Sequence, residues 1–197
     1  MILIYLIISL SCLAWLLRRD LSAIGQITFR GGWKLGLAIL GLFMLQALLV
    51  TYAPGQTMFQ MMVVVGSQTL LAFLIILNRH LSGAKLFALG IALNTMVMIA
   101  NGGWMPITPE TYQTLSSEHT VELQGRAPAS KGIMLSQHET NLWFLSDIIP
   151  VDFLGHNSAM SIGDVLILAG IAQFLLLAAP QGRPLYTGRA SQVNTSP

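Results

Sequence analysis

Charge is scarce in this 197-residue chain: 9% of its residues are Asp, Glu, Lys or Arg, against 54% that are hydrophobic. A soluble domain carries about 25% charged residues, so this chain lacks the side chains to cover itself in water. Cysteine is nearly missing. Cys12 stands alone inside an apolar run, which excludes an intrachain disulfide and a cysteine-based metal site. The net charge of +2 is small and gives no sign of nucleic acid, and no nucleic-acid partner is expected. Metal-binding spacings such as H-x-x-x-H do not occur, nor does a serine elbow or a paired Cys and His. Met61 and Met62 are the one adjacent pair among ten methionines, and they form no copper-binding cluster. No histidine lies within an apolar run, which removes the usual ligand of a chlorophyll.

What the chain does have is apolar length. Five runs, at about 2–17, 33–53, 57–77, 84–105 and 162–179, are long enough to cross a hydrocarbon layer of roughly 30 Å. In the first run the basic pair Arg18 and Arg19 follows the apolar core instead of preceding it. That order reads as a retained helix and not as a cleaved signal. The expected fold is therefore an all-α integral membrane protein. A bundle of five transmembrane helices fills residues 1–180, an outer loop at 106–161 holds short interfacial helices, and 181–197 form a flexible cytoplasmic tail. Eight of the ten Lys and Arg residues fall on one side of such a bundle. The other side holds Arg126 and Lys131 with seven of the eight acids. The positive-inside rule then puts the N-terminus outside and the C-terminus in the cytoplasm of a bacterial inner membrane.

Four amides interrupt the runs: Gln46, Gln68, Asn94 and Gln173. At 1.5 Å of rise per residue each lies roughly 15–18 Å from its helix end, near the bilayer centre. A lone amide in hydrocarbon is costly, so an interhelical polar layer is expected. No charged residue shares that depth, which leaves a proton relay without its groups. Ala84, Ala88, Ala92, Met96 and Ala100 repeat at i, i+4, a small-residue stripe suited to contact with another helix.

"IANGGWMPIT" (99–108) should unwind the fourth helix at the outer face, through Asn101, Gly102 and Gly103. Thr108-Pro109-Glu110 should start a short helix running to about Ser117. Ser136-x-x-Glu139 reads as a capping box for an interfacial helix over Gln137–Leu145, and Ser161-x-x-Asp164 as a box opening the last span. The outer face thus gathers Asn101, Gly102, Gly103, His138, Asp147 and Asp164 as candidate site residues. Capping suffices for the two aspartates and solvation for the histidine. Asn101 is expected to bond the returning loop within Leu145–Pro150.

The segments "NRHLSGAKLFALGIALNTMVMIANGGWMPIT", "LWFLSDIIP" and "SIGDVLI" together resemble a bacterial integral-membrane family, domain-of-unknown-function family 5317. The resemblance covers roughly Asn78–Ala179. It departs at Ser146, where the family tends to have glycine, and in a longer, more polar "VDFLGHNSAM". The family has no assigned activity, so the resemblance implies a fold and no chemistry. The expected function is a non-catalytic accessory subunit of a larger membrane complex of the energy-transducing kind, photosynthetic or respiratory. Its partners would be lipids and other integral membrane subunits. Two alternatives stay open: an outer-face enzyme acting on a lipid or lipid-linked substrate, and, with least support, a small transporter. The cofactor is unknown; a pigment, a quinone or a lipid are all compatible with the sequence.

Overall fold

The computed structural model describes residues 2–53, 55–115, 123–126 and 130–178. The tail at 181–197, His119 and the loop around it lie outside the described residues. Long helices form on the apolar runs: α1 (Ile2–Leu16), α2 (Gly32–Tyr52), α3 (Met58–Leu77), α4 (Ala84–Ala100) and, after the loop, α6 (Ile162–Ala178). The loop holds β1 (Met105–Ile107), a short α5 (Pro109–Leu115), β2 (Gly132–Met134), β3 (Ile149–Phe153) and β4 (His156–Met160). Among the described residues two helices, Gly32–Tyr52 and Met58–Leu77, have the length and apolarity to cross a membrane. α1, α4 and α6 are apolar but shorter.

Helix ends follow local chemistry. The chain between α1 and α2 makes a single 3-10 turn, Leu21–Gln26, capped by Asp20. Thr57 and Gln60 form a reciprocal capping box at the start of α3. Gln60 Nε2 then donates to Ala53 O at 3.0 Å, so the same side chain also closes the end of α2. At the opposite end Asn78 exchanges two bonds with the Arg30 backbone, at 2.7 and 2.9 Å, and ties α3 to the chain entering α2.

Helix neighbours run in the order α2, α3, α4, α6, α1, an arc that α1 and α2 close only loosely. The tightest seam is α4 on α6. A Cβ on Gly90 would sit 2.4 Å from Gly163 O, and one on Gly83 would sit 1.9 Å from Gly170 O. Two glycine pairs spaced seven residues apart on each helix therefore let the backbones touch. The alanine stripe does not make this seam: Ala92, Met96 and Ala100 face outward.

α4 ends at Asn101, not at Met105. Gly102 and Gly103 take positive φ of 71° and 89°, and Gly103 N–H donates to Met98 O at 2.6 Å, the closing bond of a Schellman turn. Gly103 also has no room for a side chain, because a Cβ there would lie 2.0 Å from Met61 Cγ. The Asn101 amide donates to Val97 O (2.8 Å) and Asn141 O (2.9 Å) and accepts from Asn141 N–H (2.9 Å). The returning loop is thus bonded at Asn141, upstream of the expected Leu145–Pro150.

The loop differs from expectation in two further places. Gln137–Leu145 is not a helix. Ser136 Oγ does donate to Glu139, but Leu142 sits at φ 56°, and only a 3-10 turn, Trp143–Leu145, follows. The bonds that hold Asn141 to Asn101 divert the chain before a helical turn can propagate. "VDFLGHNSAM" is an antiparallel hairpin of β3 and β4. Leu154 and Gly155 both have positive φ, 53° and 75°, as a two-residue type I′ turn requires.

Candidate functional site

β1 is the clip on which the site is assembled. Met105 N–H donates to Lys131 O at 3.0 Å, and Asp147 N–H donates to Pro106 O at 3.1 Å. β2 pairs with β1 in parallel, and Asp147 bridges Ile107 on the other side. Residues sixteen positions apart are thereby brought to one short strand. Trp104, one residue before β1, is buried and packs with Val50, Val64, Val97, Met98, Ile133 and Leu145 under the loop. Arg126 lies 5.0 Å over its ring. The same guanidinium donates to Gly55 O at 3.0 Å and to Val50 O and Ala53 O, the free carbonyls at the end of α2. A cation there satisfies orphan acceptors and the negative end of the helix dipole.

Beneath this roof lies a cavity of about 370 Å³, within the range of small-molecule sites. All five long helices line it, together with β2, β4 and Asp147. Its floor is apolar: Phe43, Leu71, Phe87, Ile91 and Ile167. Its loop end carries Gln68, Asn94, Ser130, Lys131, Asp147, Ser158 and Asp164.

Asp164 and Asn94 are committed to structure. Ser161 Oγ accepts from Asp164 N–H at 3.0 Å, and Asp164 accepts from Ser161 N–H at 3.1 Å, a complete capping box on α6. The Asn94 amide then fits into that box. Its Nδ2 donates to Asp164 at 2.9 Å, and its Oδ1 accepts from Ser161 Oγ at 2.8 Å. Asn94 also crowds Gly163, where a Cβ would come within 2.0 Å of its oxygen.

Lys131 and Asp147 are different. Neither side chain makes a hydrogen bond or a close ion pair among the described residues, and Asp147 Oδ1 is enclosed without a partner. Burial pushes the Asp147 carboxyl well above the usual carboxylate range; nearby Asp164 pushes it the same way, and Lys131 opposes both. Burial lowers Lys131, with Asp164 and Asp147 opposing. Both residues are half-buried and line the cavity. A buried, unpaired polar group is costly, and each such group needs an explanation.

The sequence-derived candidates therefore divide. Asp147 and Asp164 reach the cavity, and Gln68 and Asn94 join them from the amide set. Gln46 does not; it accepts from Ser67 Oγ between α2 and α3. Gln173 is exposed, so the four amides do not form one layer. Asn101, Gly102 and Gly103 shape the loop outside the cavity. His138 is exposed and reaches only Ser136, at 3.4 Å. Among the described residues no cluster of His, Cys, Asp and Glu could hold a metal ion. Lys131 escaped the sequence reading. Its signal was present, as one of two basic residues in an acidic loop, but it served only to set orientation.

Comparison with known proteins places the chain in a family. The model of a family of unknown function, DUF5317, matches residues 26–176, and the chain belongs to that family. An uncharacterized protein of Thermotoga maritima is 31% identical over 112 residues, which are 56% of this chain and 61% of the relative. The chain therefore spans about three fifths of that relative's length. No solved structure matches.

Proposed function

We propose that this is a five-span bacterial inner-membrane protein that holds a small amphiphilic molecule in its roofed outer cavity. The observation that carries the reading is the enclosed Asp147 oxygen without a partner, beside Lys131, on a cavity with an apolar floor. A cavity kept only for packing has no use for such a group.

Support for five spans comes from what the helices expose. Leu16, Trp33, Leu40, Tyr52, Met58 and Leu177 are all more than half exposed, and they ring the bundle. A bundle in water would bury such residues and expose charge. At 1.5 Å per residue, 17 residues of α4 or α6 rise about 25 Å, and the loop and capping residues extend the apolar path. The basic residues support an outside N-terminus and a cytoplasmic C-terminus. The loose closure between α1 and α2 supports entry from the lipid side.

The test is a photoreactive decyl-chain amphiphile added to the purified protein in nanodiscs. The reading expects cross-links on Phe43, Leu71, Phe87 or Ile167, competed by the same molecule without the photoreactive group. Cross-links confined to the outer helix faces would overturn it.

A second reading, the accessory subunit, is favoured by one observation. The exposed part of the alanine stripe lines an apolar groove of about 480 Å³ between α3 and α4. A helix of another subunit fits such a groove. Native sizing in mild detergent separates the two: fixed co-purifying partners support the subunit, and a homogeneous single chain counts against it.

A further inference from the structure

We propose that the cavity holds its amphiphile by an uncharged carbonyl oxygen, bonded by Lys131 and Asp147, with the tail on the apolar floor. The inference rests on the cavity reading above and names the ligand's head.

Donors prevail among the unused groups at the loop end, where the Gln68 amide, engaged by no hydrogen bond among the described residues, offers both a donor and an acceptor. The Asn94 oxygen is taken by Ser161, and its amide nitrogen serves Asp164. Asp164 already accepts from Ser161 N–H and from Asn94. Ser130 Oγ accepts from Gly132 N–H at 3.0 Å. Among the described residues the Lys131 ammonium makes no hydrogen bond, and the orphan Asp147 carboxyl becomes a donor once protonated, the form that burial favours. Free donors outnumber free acceptors here, so the head that fits is an acceptor.

Charge narrows the head further. Among the described residues Lys131, Asp147 and Asp164 are the ionisable groups on the cavity; the lining residues of α1, α2, α3, α4, β2 and β4 are uncharged. The ammonium of Lys131 is balanced by the carboxylate of Asp164, and a protonated Asp147 adds nothing. An anionic or cationic head would leave an unbalanced charge in a poorly solvated space. A neutral carbonyl leaves the balance intact. Carbonyls on apolar bodies of this size occur on quinone rings and on acyl esters, and the two share the chemistry that Lys131 and Asp147 would read.

The experiment uses the full chain in nanodiscs and four probes with one decyl tail carrying a photoreactive group. The heads are a benzoquinone, a methyl ester, a primary amine and a phosphate. Affinity is measured by calorimetry and position by mapping the cross-links. At neutral pH a carbonyl-headed probe should bind at least about tenfold tighter than the amine and the phosphate, a difference within the reach of one buried hydrogen bond to a charged group. Whichever of quinone and ester binds tighter identifies the source. Lys131→Met should weaken that probe by about 10- to 100-fold. Asp147→Leu should weaken it, while Asp147→Asn, which still donates, should hold it within about threefold. In the native chain affinity should fall as pH rises through the raised titration of Asp147, and Asp147→Asn should abolish that fall. If Lys131→Met does not fold, Lys131→Arg, which keeps charge and donors, should retain carbonyl selectivity.

If the amine or the phosphate binds tightest inside the cavity, the head is wrong and the cavity reading survives. Carbonyl binding in the cavity that ignores both Lys131 and Asp147 also overturns the inference. If no probe cross-links into the cavity, the cavity reading itself falls.

Discussion

At the end of the bundle away from the loop, α4 and α6 meet through bare backbone, Gly83 on Gly170, with no polar side chain between them. At the loop end the same two helices are joined through Asn94, Ser161 and Asp164, and above them Lys131 and Asp147 stay unpaired. One end spends its sequence on close approach, the other on polar groups with work left over. Packing alone explains the first end. It does not explain the second, because an enclosed carboxyl oxygen without a partner lowers stability. The difference is the reason the proposed site is placed at the loop end.

The contrast can be broken most forcefully at the seam. Gly90→Val would push side-chain atoms into the α6 backbone, where even a Cβ lies 2.4 Å from Gly163 O. A cost of about 3 kcal/mol is expected, a loss of about 6–12 °C in Tm. Thermal unfolding in detergent checks it, and an unchanged Tm would mean the helices are not in backbone contact. Asn101→Leu comes next. It removes three bonds to α4 and Asn141 and should cost about 1–3 kcal/mol. Its sign is faster proteolysis between Glu110 and Asp152 with the helices still inserted; unchanged cleavage would show that the loop does not depend on this clasp. The smallest effects come from a matched pair. Gln46→Leu removes the bond from Ser67 Oγ, leaving that hydroxyl only Val64 O, and should cost about 1 kcal/mol. Gln173→Leu, on an exposed position, should change stability by less than about 0.5 kcal/mol. Equal losses at both positions would restore the single amide layer that the structure divides.

Much of the frame was legible before any coordinates. Apolar runs and capping residues are local signals, and the caps of Thr108 on Thr111 and Ser161 on Asp164 act within three residues. The α4–α6 seam was legible in principle, as glycines seven apart at Gly83, Gly90, Gly163 and Gly170. The alanine stripe drew attention from it because alanine and glycine look alike to a rule about small residues. Equal depth of four amides proved a poor guide, since depth fixes height and not the direction a side chain faces: Gln173 points away from the bundle. The site was the least legible part. Lys131 and Asp147 carry no motif, and only the pairing of β1 with both flanks, a long-range event, brings them to one cavity. The Ser136 box misled for a related reason. Its local bond forms, but the clasp between Asn101 and Asn141 decides the path of the chain.

The central claim is that the loop end keeps an unpaired carboxyl on its cavity. Burial raises the folded Asp147 titration above its unfolded value. The stability it contributes is therefore fully present below the unfolded value near about pH 3.9 and is lost as pH rises through the folded one. Infrared titration of the protein in nanodiscs reads the group directly. A protonated carboxyl C=O band should persist above the ordinary carboxylate range, should vanish in Asp147→Asn, and should fade as pH rises through the raised folded titration; the native Tm should fall over the pH range leading up to that titration, a fall the variant does not show. A band that fades within the ordinary carboxylate range, with a Tm that follows pH equally in both proteins, would contradict the account.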